Sequence, residues 1–516
     1  MSSHDDHKSS TEGGAIEKST STNVEHLEKS HGTVVEFDDS IEDTKPSKSV
    51  WLITFTVAMG GFLFGYDTGV ISAVLVTIGD DLGHSLDSHE QELITSITSG
   101  GALIGALMAG LPADKYGRKL GIYIGCFLFL VGSVVQAVAF NIAAMTAGRL
   151  IVGFGVGSAA MIIPLYIGEL APARYRGRMI AFDNLSVTLG QLVSYGLGAA
   201  LTDVPHGWRY MIAIGGIPPI ILAALLPRCP ESPRQLIAHG KRDEAEQCLR
   251  RVYPAVESSV VANKSLWWQF KQLHCVPSNL RALISACIVM AISQLGGFNT
   301  LMYYSATLFS LVGFNKPTAV AIVVGATNFL FTFVNLVVID ELGRRIILLV
   351  TVLGMALSMV IAAVAFHWIP ISKDLVLQAD SVNWAGIVVL VTINFYVAFF
   401  ATGVATIGWV GTELLPLEVR ALGTMMNTVT CWSCNLIIAS TFLSMMKSMT
   451  PSGAFGFYAG ICFFGWIFVI FFYPEVKGLP LEEVRKVFEN RFDVKLAKQM
   501  QRDLKASSQA SVASKA

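Results

Sequence analysis

Apolar residues fall along this chain in long blocks separated by shorter polar stretches. The blocks begin near Trp51, Leu93, Leu120, Met145, Met179, Tyr210, Ala282, Thr318, Ile346, Trp384, Ala421 and Ala454. Each runs for roughly 20 residues, the length a helix needs to cross the hydrocarbon core of a bilayer. The blocks from Trp384 and Ala421 are interrupted by polar residues, so the count of about twelve is good to one span. The pattern predicts an all-α membrane protein of about twelve transmembrane helices. The longest internal polar connection, residues 228–280, divides the spans six and six and carries an amphipathic charged stretch from Lys241 to Arg251. The expected organisation is therefore a six-helix bundle over 47–227, a helical linker over 228–280 and a second six-helix bundle over 281–473. Residues 1–46 are polar and poor in aromatics and predict a disordered tail; 474–516 form a second tail, of similar character after Glu489.

Composition agrees with the pattern. Of 516 residues, 53% are hydrophobic and only 15% charged, against about 25% charged in a soluble domain. A net charge of −1 with no basic domain gives no reason to expect nucleic acid as a partner. The charges sort by loop. Lys115, Arg118 and Lys119 lie between spans two and three, and Arg174, Arg176 and Arg178 follow span four. Arg344 and Arg345 follow span eight, and Arg420 follows span ten. The loop after span one instead carries Asp80, Asp81, Asp87, Glu90 and Glu92. The positive-inside rule puts the basic loops and both tails in the cytosol. Eight cysteines form no recognisable disulfide framework, and Cys431 and Cys434, spaced C-x-x-C inside a span, read as small packing residues.

The two halves repeat. Asp114-Lys-Tyr-Gly117-Arg118-Lys119 after span two corresponds to Asp340-Glu-Leu-Gly343-Arg344-Arg345 after span eight. Glu169-Leu-Ala-Pro172 with Arg176 after span four corresponds to Glu413-Leu-Leu-Pro416 with Arg420 after span ten. Two motifs recurring in the same order point to a duplicated six-helix unit. Parallel six-helix repeats of this kind are the architecture of the major facilitator superfamily, with the substrate site near the midplane between halves. The duplicated acids and bases read as a cytosolic charge network that holds the halves together in one state and releases them in the other. Ordinary solvated loop charge is the plain alternative.

From Trp51 to about Phe492 the chain resembles the sugar porter family. The likeness rests on Gly65-Tyr66-Asp67-Thr68-Gly69, Gly117-Arg118-Lys119, Gly148-Arg149, Pro164 to Glu169, Arg176-Gly177, Pro230-Glu231-Ser232-Pro233-Arg234, Gln294 to Asn299, and Pro474-Glu475 with Lys477-Gly478. Glu231 and Arg234 thereby join the charge network. Within the family the chain is most similar to fungal myo-inositol transporters, through Asn299-Thr-Leu-Met-Tyr303, Gly325-Ala-Thr-Asn328-Phe, Ile438 to Leu443, Thr450-Pro-Ser-Gly453 and Leu481-Glu-Glu-Val484.

Asp67 stands in the middle of an apolar run. An ionisable group there costs at least about 2.5–3.5 kcal/mol, so it must be protonated, paired or beside water. Arg149, at the start of span four, is the natural partner. The resemblance implies that these two positions form the proton switch of proton-coupled sugar porters; a static structural salt bridge is the alternative. A polyol needs convergent amides and an apolar or aromatic face. Asn184, Gln294, Asn299 and Asn328 align with the family's sugar contacts, as does Gln191 seven residues after Asn184. Trp409, Trp432 and Asn435 are further candidates. Interhelical hydrogen bonding would explain any one of these amides as well. Phe298, Tyr303 and Tyr304 are expected at an extracellular gate, with packing or lipid contact as the alternative.

Three positions depart from the family. Asn184 stands where hexose porters usually carry Gln, which suits a different array of hydroxyls. Ser293 replaces the first of two paired glutamines. Span ten reads Gly403-Val-Ala-Thr-Ile-Gly408-Trp409 without the usual proline, which predicts a straighter helix. The implied activity is proton-coupled import of myo-inositol or a close polyol across the plasma membrane, with a vacuolar membrane left open. A hexose transporter and a transporter-like nutrient sensor remain alternatives; the short C-terminal tail favours transport. No nucleophile–base set, phosphate loop or metal-spaced cluster suggests an enzyme or a cofactor. The expected partners are a small polyol or hexose, a proton and the lipid bilayer.

Overall fold

The computed structural model describes residues 48–171, 173–252, 266–372, 375–378, 382–416, 419–477, 481–489 and 492–503. The expected N-terminal tail lies outside the described residues. The first five spans are single helices: α1 (Lys48–Thr77), α2 (Ser88–Tyr116), α3 (Arg118–Ala137), α4 (Ile142–Leu170) and α5 (Ala173–Leu201). Span six is divided at Gly216 into α6 (Gly207–Gly215) and α7 (Ile217–Leu225). Short helices α8 (Pro233–Ala238), α9 (Arg242–Val252) and α10 (Leu266–Cys275) belong to the linker. Span seven is α11 (Pro277–Leu295) followed by α12 (Phe298–Val312); spans eight and nine are α13 (Pro317–Leu342) and α14 (Arg344–His367). Span ten is α15 (Trp384–Thr402) and α16 (Val404–Val410), and α17 (Arg420–Phe472) holds spans eleven and twelve, divided at Thr450-Pro451 where φ is +68°. Helix α18 (Leu481–Glu489) follows.

Ten stretches among the described residues are long and apolar enough to cross a bilayer. Arg420–Phe472 counts as two of the spans, and α5 adds another despite the polar Asp183, Asn184 and Gln191 along it, which brings the total to twelve. Large apolar side chains such as Phe127, Phe140, Met108 and Phe464 point outward, as a lipid solvent allows.

Local chemistry sets the helix ends. Asp87 accepts from Glu90 N at 2.7 Å while Glu90 accepts from Asp87 N at 3.0 Å, a capping box that starts α2. Asn141 caps α4 by accepting from Ala144 N at 2.7 Å. Within the first half, α1 packs on α5 and α2 on α4. The approach is close enough that a Cβ on Gly65 would lie 1.8 Å from the carbonyl oxygen of Val187, so only glycine fits. The halves meet mainly through α2 against α17 and α5 against α13.

Two details differ from the sequence expectations. Span ten is broken at Gly403 (φ −126°, ψ −92°) although it has no proline. A Cβ at Gly403 would lie 2.0 Å from Thr351 Oγ1, so the glycine lets α14 and the break share one place. The stretch after Glu489 is partly ordered: residues 494–503 are helical, Ala497 is buried and Gln501 Nε2 donates to Lys477 O at 2.9 Å. Arg281 Nη1 donates to Phe488 O at 2.7 Å, capping the carbonyl end of α18.

Candidate transport site and its gates

Asp67 on α1 and Arg149 on α4 form a buried ion pair, with Arg149 Nη1 donating to Asp67 Oδ1 at 2.6 Å. Arg149 is 1% exposed and Asp67 8%. The guanidinium also donates from Nε to Ile94 O on α2 at 3.2 Å, so one cation ties three helices of the first half together. The arrangement can hold a negative charge on Asp67 away from water, or release it when Arg149 moves.

The predicted amides converge in pairs. Asn328 Nδ2 on α13 donates to Gln191 Oε1 on α5 at 2.6 Å, bridging the two halves. Asn299 Nδ2 donates to Gln294 Oε1 at 2.5 Å across the Gly296-Gly297 break between α11 and α12. Gln294 Nε2 in turn donates to Ser293 Oγ at 3.0 Å, so the hydroxyl that replaces a glutamine remains in the network. Asn184 Nδ2 reaches across to Thr406 Oγ1 at 3.1 Å, and Asn335 Nδ2 donates to the same hydroxyl at 2.6 Å. Asn435 is buried between Ser99 Oγ (3.1 Å) and Tyr303 OH (3.2 Å). Trp432 is buried, packs edge-on against Phe64 at 5.2 Å and has no partner for its Nε1 among the described residues.

A cavity opens at Asn184 and Trp409, while Gln191, Gln294, Asn299, Asn328, Trp432 and Asn435 lie outside its lining. Phe64, Asp183, Asn184, Thr406 and Trp409 are on its wall, with Ile163 and Pro164 of α4 opposite. It lies on the basic-loop side of Asp67. Towards the acidic loop the halves are closed. Ser72 Oγ and Ser305 Oγ are 2.9 Å apart, Tyr195 OH donates to Met302 O at 2.7 Å, and Thr202 Oγ1 donates to Thr318 Oγ1 at 3.1 Å. Glu92, also buried, accepts from Ser444 N at 2.7 Å and Ser444 Oγ at 2.6 Å. Of the three expected gate aromatics, Tyr303 and Tyr304 lie beside this closure and Phe298 does not. Tyr303 bonds Asn435, and Tyr304 is fully buried and donates to Ala439 O at 3.0 Å. Phe298 stacks on Phe400 with centroids 3.6 Å apart, inside the second half.

At the basic end the following charged groups bond within their own half. Arg118 grips Glu169 through Nη2 at 3.0 Å and Nε at 3.3 Å. Glu231 accepts from Arg118 N at 2.9 Å and Lys119 N at 3.3 Å, capping α3. Glu475 does the same for α14, accepting from Arg345 N at 2.8 Å. Arg420 Nη2 donates to Leu415 O at 3.1 Å, and Arg344 opens α14 half-buried. The side chains of Asp114, Arg176, Arg234, Asp340 and Glu413 lie outside the described residues.

The sequence matches the family described as "Sugar (and other) transporter" over residues 53–488. The chain belongs to the sugar transporter family. This sugar transporter is 44% identical over 480 residues to myo-inositol transporter 1 of Cryptococcus neoformans, covering 89% of this chain and 85% of that one. It is 42% identical to myo-inositol transporter 1 of Saccharomyces cerevisiae, covering 86% and 80%. Its fold is similar to the xylose transporter XylE from E. coli in a partially occluded inward open conformation, with TM-score 0.69, 26% identity and coverage of 84% and 100%. The proton:xylose symporter XylE bound to 6-bromo-6-deoxy-D-glucose matches with TM-score 0.70 at 26% identity, covering 85% and 99%.

Several residues of this sugar transporter's cavity and gates were not singled out from the sequence. Thr406, shared by Asn184 and Asn335, is an ordinary threonine in a proline-free span, three residues after the Gly403 break. Asp183 lines the cavity beside Asn184, a carboxylate inside a span, the same signal that marked Asp67. Glu475 was legible as the second copy of Glu231, since Pro230-Glu231 and Pro474-Glu475 follow spans six and twelve. Glu92 read as part of an acidic loop, but it is a buried strut between halves.

Proposed function

We propose that this sugar transporter imports myo-inositol with a proton across the plasma membrane, its basic loops and both termini facing the cytosol. The observation that carries the coupling is the buried Asp67–Arg149 pair, placed between the closed acidic end and the cavity on the basic side. With the basic loops cytosolic, the closed end faces outward and the cavity faces inward. In the outward-facing state Asp67 is protonated and free of Arg149. Proton release to the cytosol lets the pair form, and the pair ties α1, α2 and α4 in the arrangement seen here. Substrate enters by exchanging amide–amide bonds, Gln191–Asn328 and Gln294–Asn299, for bonds to its own hydroxyls. Trp409 supplies an aromatic face at the cavity. The charge network at the basic end would bridge the halves when the cavity closes on that side. Myo-inositol is favoured as cargo by relatives that carry that name at 40–44% identity.

The test is uptake of radiolabelled myo-inositol into transport-deficient cells expressing the chain, with glucose, xylose and other polyols as competitors and a protonophore control. Saturable uptake, poorly competed by glucose and abolished by the protonophore, is the expected result. Absence of uptake despite surface expression would move the reading to a substrate-binding sensor.

A further inference from the structure

Among the described residues Asp183 has no partner to explain it. It lies on α5, one residue before Asn184, and lines the cavity. It is 9% exposed, its Oδ1 accepts no hydrogen bond, and among the described residues it forms no ion pair. Asp67 has Arg149 and Glu92 has Ser444, so Asp183 is the carboxylate on the cavity wall without a donor. Its position is built in rather than incidental. Oδ1 rests where a Cβ on Gly61 would lie, 2.6 Å away, so α1 leaves room for the carboxylate by having no side chain there.

A buried carboxylate with an unfilled acceptor calls for a ligand rich in donors. A cyclic polyol offers adjacent hydroxyls, and a carboxylate can accept two of them in short, charge-assisted O–H···O bonds. Asn184 and Thr406 beside it supply further polar partners, and Trp409 an apolar face. Resting on the reading that the chain carries a polyol, we propose that Asp183 is a specificity-determining contact, accepting hydrogen bonds from a pair of neighbouring substrate hydroxyls. A site built to accept from a hydroxyl rejects the analogue that lacks it, because the carboxylate is left buried and unpaired.

The experiment compares initial-rate uptake of myo-inositol and of single-deoxy inositol competitors by the wild type and by Asp183→Asn, each normalised to surface protein. The expected result is a KM for myo-inositol raised about tenfold in the variant with kcat nearly kept. The wild type should also reject at least one deoxy isomer about tenfold or more, and the variant should lose most of that rejection. An unchanged KM and an unchanged deoxy profile overturn the proposal. A second measurement needs no variant: carbodiimide labelling of the purified wild-type chain, read at residue 183 by peptide mapping. Protection by saturating myo-inositol supports the contact, and equal labelling with and without it overturns the contact. If the wild type carries a different solute, the inositol reading fails by itself, and the same KM and protection comparisons with that solute decide Asp183 separately.

Discussion

Arg149 holds Asp67 at 2.6 Å while its own Nε is fixed by the carbonyl of Ile94, so the charge on Asp67 and the position of α2 are read by one guanidinium. Asp67→Asn keeps the shape but cannot lose a proton. It is expected to abolish concentrative, protonophore-sensitive uptake while leaving exchange of substrate down its gradient. Full accumulation by Asp67→Asn would remove the coupling role. Removing one partner of a buried pair costs about 3–5 kcal/mol, so Arg149→Ala is expected to lose folded protein as well. A fluorescence-detected size-exclusion profile checks that.

Glu92, itself buried, spans the halves by two part-buried bonds from Ser444 to its carboxylate. Hydrogen bonds to charged groups contribute about 1.5–3 kcal/mol. Glu92→Gln keeps one acceptor and loses the charge, so it should shift the population towards the state open at the acidic end by roughly tenfold. A cysteine placed at Ser72, which faces Ser305 in the closed contact, reports this as faster reaction with an impermeant maleimide. Equal rates with and without Glu92→Gln would mean the closure does not depend on this strut.

The bundle was legible because its cause is one-dimensional: an apolar run long enough for a bilayer needs no tertiary information. The repeat was legible for the same reason, as two motifs at fixed spacing. Asp67 and Arg149 could be paired from sequence because an isolated ion in lipid must find a partner. What was not legible depends on which faces turn together. Asn328 and Gln191 are far apart in the chain and satisfy each other only because α13 packs on α5. The break at Gly403 was hidden because a glycine in a helix is usually tolerated; it breaks here because Thr351 occupies the space a side chain would need. Glu92 reads as a loop acid by position, and only the packing of α2 on α17 buries it.

Glu231 and Glu475 cap equivalent helices after equivalent glycines, Gly117 at φ +106° and Gly343 at φ +88°. A Cβ at either glycine would meet the capping carboxylate, 2.7 Å away at Gly117 and 2.5 Å at Gly343. Because the two caps are copies, Glu231→Gln and Glu475→Gln should each lower thermal stability in detergent to a similar extent. The loss corresponds to about 1–2 kcal/mol, the range of an anionic cap in a favourable, partly buried position. Gly343→Ala should cost more, since it adds the penalty of a left-handed residue to the displaced cap. A loss from Glu231→Gln with none from Glu475→Gln would show that the second half does not rely on its copy.

At the opposite end, Asp81 lies outside the spans and accepts from His206 Nδ1 at 2.6 Å and Trp208 Nε1 at 2.7 Å. The bond from His206, and next that from Trp208, hold its carboxyl below the usual carboxylate range. A depressed folded value stabilises the ionised form, so the linkage is complete above the unfolded value of about 3.9 and fades as pH falls through the lowered one. The clip between the α1–α2 loop and the start of α6 should therefore be unaffected by Asp81 across the acidic medium in which a proton-driven importer works. Hydrogen exchange at 202–209 checks this against Asp81→Asn. The variant should exchange faster than the wild type at pH 5 and pH 7 alike, with the difference vanishing only below the carboxylate range. A gap that closed between pH 7 and pH 5 would mean that the clip does not rest on the Asp81 carboxylate.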